Sequence, residues 1–264
     1  MSQFDVLLAK SWVPAQPGEC LPSYARLLPH LRAVERAGTS IVEATGKLIL
    51  QQLELPLDPW LSRLERAVKV ACLCHDLGKA NEAFQLMVRR KLDPTCQPAR
   101  HELLSALLLE DRESFVRVWA LSHLTYDGEY DDGNWLLDSV IGAIGGHHVK
   151  LDDDWKKAAV ALQGSGMTSL QMLLAHPDLE KLFEHHHPLK DAAFSLVNGR
   201  PEFLGDRRVP FNFGSNRWRK KLASEPQWWR FAAAVKALTC AADVAGSAML
   251  PEKEPIRRWV TDTL

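Results

Sequence analysis

The segment "ACLCHDLGKANEAF" at residues 71–84 sets His75 and Asp76 side by side at the end of an apolar run, with Gly78 and Lys79 directly after. A carboxylate taken out of water needs a partner, because an unpaired one is costly. Leu61, Leu64, Val68, Ala71 and His75 follow helical spacing, which predicts a helix whose buried stripe ends on His75. Asp58 suits its N-cap and Pro59 its first turn, and Gly78 is expected to end it. Other imidazoles and one aspartate are candidates to meet Asp76. His30 lies in "LPHLRAV", His101 opens "RHELLSA", and His147 and His148 follow Gly145 and Gly146 at the end of an apolar helix. Asp243 stands in "CAADVAGSA", within an apolar helix that has no basic residue three or four positions away. Imidazole and carboxylate together suit first-row transition ions, in contrast to the all-oxygen shells of calcium. A carboxylate shared by two such ions would explain a buried Asp76. Two ions a few Å apart can hold a phosphoryl oxygen and a hydroxide together. Each piece also has an ordinary alternative. A lone histidine on an apolar helix face is usually a hydrogen-bonded core residue, histidine doublets are common on surfaces, and Asp243 has Lys236 one face away.

The elements that must position these residues read as helices. Residues 21–54 carry Leu27, Leu31, Val34, Ile41 and Val42 at inward spacing. Residues 100–124 form a helix broken near Asp111. An acidic loop over 127–134 precedes the helical "WLLDSVIGAIGGHH", and a long helix runs through "EPQWWRFAAAVKALTCAADVAGSAML" to end before Pro251. Between them, 150–225 is punctuated by Gly, Pro and Asn and is expected to be loops around short elements. The predicted fold class is all-α, a helical bundle over residues 1–264 as one domain, with 150–225 an irregular insertion within it.

Bulk properties exclude several classes. The chain has 264 residues, 46% hydrophobic and 25% charged, with a net charge of −1. No global field announces a nucleic-acid partner, so any such binding must use a local patch. Five scattered cysteines make no CxxC pair and no disulfide framework. Cys72 and Cys74 are expected in the core, and a reducing, cytoplasmic setting fits. The N-terminus is not expected to be a signal peptide, and the apolar runs are expected to fall short of spanning a bilayer, so no membrane partner is expected.

Taken in order, His30, "HDLGKANEAFQ", "RHELLSA", "GHH" and "ADVAGSA" resemble the HD-superfamily metal-dependent phosphohydrolases. More narrowly they are similar to the HD nuclease domain of the CRISPR type I interference nuclease–helicase. The resemblance covers the motif-bearing parts of about 30–250 and implies an HD-domain helical bundle. It implies that His30, His75, Asp76 and Asp243 hold one divalent metal, with Asp76 bridging to a second held by His101, His147 and His148. Manganese, iron, cobalt or nickel would serve. His123 competes with His101, but "RHELLSA" is the closer match. Lys79 matches a lysine that in the family lies near the scissile phosphate, and His75, Asp76 and Lys79 are the catalytic candidates. Ser247 matches a serine that often follows the family's aspartate and is expected beside it or on phosphate. The implied reaction is metal-assisted hydrolysis of phosphodiesters in single-stranded DNA, exposed when a guide RNA in a CRISPR surveillance complex displaces one strand, as antiviral defence.

The stretch "RRVPFNFGSNRWRKK" at 207–221 adds a local patch. Arg217, Trp218, Arg219, Lys220 and Lys221 are candidates to bind a single strand, basic groups tracking phosphates and aromatics stacking on bases. Docking of its aromatics on the domain's own core, or a protein contact, remains open. The histidines at 185–187 are expected to form a surface cluster. An HD phosphohydrolase acting on nucleotides or cyclic nucleotides is the alternative activity, and a non-catalytic docking module is a third reading. No GxxxxGK[ST] loop is present, so the superfamily-2 helicase that accompanies this domain is expected on a separate chain or in a missing C-terminal part.

Overall fold

The inward spacing read from residues 21–54 becomes a 26-residue helix, α1 (Leu27–Gln52), which buries Leu27, Leu31, Val34, Ile41 and Val42. This is a computed structural model, and it describes residues 4–12, 18–90, 100–112, 114–125, 130–146, 169–186, 207–210 and 217–248. A short turn returns the chain into α2 (Leu57–Cys74). Within α2, Asp58 keeps an extended backbone (φ −98°, ψ 127°), so the regular turns begin at Pro59, as proline at a first helical position favours. A 3-10 turn over Leu77–Lys79 leads to α3 (Glu82–Val88), capped where Asn81 accepts from the Phe84 N–H. Then come α4 (His101–Glu110), α5 (Phe115–Leu124) and α6 (Tyr130–Gly145). The break near Asp111 is therefore present. The acidic segment differs from its reading as a loop: α6 already begins at Tyr130. Acidic residues are favoured in a first helical turn by the backbone dipole, and Asp132 pairs with Arg63 of α2.

The later half of the chain is helical with one small ribbon. Strand β1 (Ser169–Met172) pairs antiparallel with β2 (Arg207–Pro210), Ser169 opposite Pro210. Between them lies α7 (Pro177–His186), and after them α8 (Arg217–Ser224) and α9 (Pro226–Ala248). These are the short elements of the irregular region. The helical fold class holds, with this ribbon its one sheet among the described residues.

The bundle's centre is α1, α2 and α9 in mutual contact, with α6 packed on α2 and α9. Trp60 meets Trp228 at a ring distance of 4.8 Å, while His75 meets Asp243 at 3.4 Å. Trp60 and His75 are separated along the chain by the same number of residues as Trp228 and Asp243, so α2 and α9 run parallel and in step. At 1.5 Å per residue the two contacts lie about 22 Å apart. Gly246 lets α9 approach α1 closely, since a Cβ there would meet the Val34 backbone at 2.8 Å.

Two expectations are corrected. The apolar runs do not all fall short of a bilayer: α9 is long and apolar enough to cross one by length and composition. Here it is the central core helix, packed on α1, α2 and α6 and carrying Asp243. Gly78 does not terminate α2, which ends at Cys74. Its missing Cβ instead admits the His101 backbone, whose carbonyl oxygen a side chain at 78 would overlap.

Candidate metal centre

Helical geometry carries four polar groups to one end of the bundle. His30 sits in the first turn of α1, His75 caps the C-terminus of α2, Asp76 follows in the turn, and Asp243 lies one turn before the end of α9. One ligating atom each from His30, His75 and Asp243 lies within 4.8 Å of the others. His30 Nε2 is 3.0 Å from Asp76 Oδ2 and 3.6 Å from Asp243 Oδ1. His75 Nε2 stands 3.4 Å from both Asp76 Oδ2 and Asp243 Oδ1. The other Asp76 oxygen, Oδ1, is 3.0 Å from His101 Nε2. Asp76 thus faces His30 and His75 with one oxygen and His101 with the other.

Burial sets the electrostatics. His75 and Asp76 are fully buried. Burial alone would lower the His75 pKa, but the Asp76 and Asp243 carboxylates outweigh it and raise the imidazole to about 10. Burial works against the Asp76 charge too, yet His75, Lys79 and His101 hold its carboxyl well below the ordinary range. Asp243 is likewise lowered, its burial overcome chiefly by the hydrogen bond and charge of His75. Lys79 Nζ lies 2.5 Å from Asp76 Oδ2. Without a metal ion, then, a proton on His75 and the Lys79 side chain balance the buried Asp76 and the part-exposed Asp243 carboxylates.

The donor set fits a divalent transition ion. His75 Nδ1 donates to the Cys72 carbonyl at 2.8 Å, so in the neutral ring the Nε2 lone pair points at the cluster. Such a partner on the far ring nitrogen is the usual support of a metal-ligating histidine. Three imidazole nitrogens and two carboxylates at close range match borderline first-row ions better than calcium or magnesium.

Further groups hold the motif turn in place. Ser105 Oγ accepts from the Gly78 N–H at 2.8 Å, and Asn81 Nδ2 donates to the Gly78 carbonyl. Buried Gln85 donates to the Lys79 and Leu8 carbonyls and accepts from the Leu8 N–H. The sequence reading did not single these out. A polar residue recurring on an otherwise apolar helical face, as Gln85 and Ser105 do, was the available signal.

The matching family model is "Cas3, HD domain", over residues 9–249. The chain belongs to the Cas3 HD-domain family. A relative in Myxococcus xanthus (strain DK1622), named as a CRISPR-associated nuclease/helicase Cas3, is 33% identical over 266 residues, covering 96% of this chain and 32% of that protein. The chain therefore spans about a third of that relative's length. No solved structure matches. The matched span includes His30, His75, Asp76, His101 and Asp243.

Other candidates fall as follows. His147 and His148 lie outside the described residues, as does most of 150–216. His123 is engaged by Trp119: its Nδ1 lies 2.9 Å from the Trp119 carbonyl and its ring packs on Trp119. Ser247 Oγ donates to Asp243 Oδ1 at 3.3 Å and is solvent-exposed. In α8, which holds Arg217 and Trp218, Arg219 is half-buried and Lys220 exposed. Lys221 is turned inward, 2.6 Å from Asp138 of α6 and over the Trp135 ring. Cys72 and Cys74 are buried free thiols.

Proposed function

We propose that this chain is a metal-dependent nuclease domain that hydrolyses phosphodiester bonds of single-stranded DNA in CRISPR interference. The observation that carries the reading is the two-sided environment of Asp76, with His30 and His75 at one oxygen and His101 at the other. In this reading Asp76 would be shared by two divalent ions, manganese, iron, cobalt or nickel. His30, His75 and Asp243 would hold one with it, and His101, with His147 and His148, would hold the other. Bound divalent ions supply Lewis acidity toward a phosphoryl oxygen and bring the pKa of water near neutrality.

The protein's own residues supply the rest. Lys79, beside Asp76, offers positive charge to the phosphoryl oxygens of the pentacoordinate transition state as negative charge develops on them. Ser247 steadies the Asp243 carboxylate and is exposed beside it, so it can also meet a phosphate. Arg219 and Lys220, with Arg217 and Trp218 in the same helix, form the path along which a strand lies, basic groups on phosphates and the indole on a base. The relative's name joins nuclease to helicase, which supports a helicase partner and a guide-RNA surveillance complex that exposes the strand.

The test is cleavage of circular single-stranded DNA with manganese, cobalt or nickel, beside a His75→Ala/Asp76→Ala protein. Cutting by the wild type alone is expected, and because circles lack ends it would be endonucleolytic. Metal-loaded, folded protein that leaves circles intact but hydrolyses nucleotides or cyclic nucleotides would replace this reading with a small-molecule phosphohydrolase.

A further inference from the structure

Among the described residues, Asp76 and Glu102 are the two buried carboxylates, at 1% and 0% exposure. Asp76 has its place in the metal centre. Glu102 has none so far, although it stands next to His101 in the first turn of α4. The helix dipole favours a carboxylate there, but the dipole does not require burial. Its Oε1 pairs with Arg100 Nε, on a side chain that is 47% exposed. A pair with so exposed an arginine could have formed at the surface. The remaining oxygen, Oε2, lies 3.5 Å from His101 Nδ1, while His101 Nε2 lies 3.0 Å from Asp76 Oδ1.

At 3.5 Å, Glu102 Oε2 and His101 Nδ1 are in ion-pair range without a hydrogen bond, and Oε2 is buried with no hydrogen-bond partner among the described residues. The order carboxylate, imidazole, Asp76 is nonetheless that of a supported metal ligand. A histidine that ligates through Nε2 carries its proton on Nδ1 when neutral, and that proton is normally given to a carboxylate, a carbonyl or water. His75 gives its Nδ1 proton to the Cys72 carbonyl. The His101 backbone is fixed by its close contact with Gly78 and by the hydrogen bond from the Gly78 N–H to Ser105. Those contacts leave the turn of the ring to be set. We infer that Glu102 is the positioning residue for His101, holding Nδ1–H toward Oε2 and Nε2 toward Asp76, and so building the second ion's half of the centre. The inference rests on the two-ion reading above.

The test is a manganese titration of the metal-free wild type, Glu102→Ala and Glu102→Gln, with stoichiometry and affinity from equilibrium dialysis and folding followed by thermal melts. The visible spectrum of cobalt-loaded protein gives a second readout of ligand geometry. Wild type is expected to bind two ions. Glu102→Ala should keep one at unchanged affinity and bind the other about 10- to 100-fold more weakly, with the cobalt spectrum altered accordingly. Glu102→Gln keeps an acceptor of the same shape and should fall between the two, which distinguishes positioning from space filling even if the alanine variant fails to fold. Two ions bound by Glu102→Gln and Glu102→Ala as tightly as by wild type would overturn the inference and leave the two-ion reading intact. Equal weakening of both ions, in step with a lower melting temperature, would also overturn it, as a structural effect alone. A wild type that binds a single ion overturns the two-ion reading, and this inference with it.

Discussion

The same helices α2 and α9 meet at two ends about 22 Å apart, and the two ends handle buried charge in opposite ways. At the aromatic end, Trp60, Trp135, Trp228 and Phe231 pack against one another. Arg63 lies over Trp60 and pairs with Asp132, and Lys221 lies over Trp135 and pairs with Asp138. Arg63 and Lys221 thus each have a carboxylate and a ring face. At the metal end, Asp76 and Asp243 are balanced by a His75 proton and Lys79, an arrangement that a divalent ion can replace. On the proposed reading, the metal end is the one that exchanges a proton for an ion.

Substitutions should separate the ends. The largest effect belongs to Asp76→Ala, which removes the carboxylate that both ligand sets share in the proposed two-ion reading: metal retention and DNA cleavage should fall to background while the helical circular-dichroism signal persists. Trp228→Ala is the mirror case. Loss of this buried indole should cost about 3–5 kcal/mol in denaturant unfolding, with metal affinity unchanged in the protein that remains folded. Lys79→Ala should keep metal binding and lower the single-turnover cleavage rate about 100- to 1000-fold, the scale for removing one group that stabilises developing charge.

Proton linkage sharpens the contrast further. His75 is raised to about 10 in the metal-free fold from an ordinary value near 6.5. Its stabilisation is therefore fully present below about pH 6.5 and lost as pH rises through 10. Asp76 and Asp243 are lowered, so theirs is present above about pH 4 and lost on acidification. The melting temperature of metal-free protein should decline between pH 6.5 and 10. Metal affinity should rise over that interval, because the ion needs the neutral ring, and calorimetry in buffers of different ionisation enthalpy at pH 7.5 should register proton release on binding. The smallest effect is expected at Lys221→Ala, at most about 1 kcal/mol of stability for a part-exposed ion pair, with no change in metal binding.

Much of the metal end was legible in the sequence because it obeys helical periodicity. The α2 stripe runs straight onto His75, and Asp243 stands out as a charge among alanines. What was not legible depends on contacts between distant segments. Gly78 reads locally as a helix terminator, whereas its purpose is the approach of His101 from α4. Lys221 reads as part of a basic patch until Asp138 is seen beside it. The start of α6 was hidden because aspartates and glycine suit a loop as well as a first helical turn. Glu102 was in view within "RHE", but only its burial distinguishes it from an ordinary acidic residue of a helix N-terminus.

The central claim is that Asp76 is shared by two ions. Anomalous diffraction from crystals grown with manganese tests it most directly. Two peaks should flank the Asp76 carboxylate, one among His30, His75 and Asp243 and the other beside His101. A single peak that leaves His101 unliganded, or peaks remote from Asp76, would contradict the account.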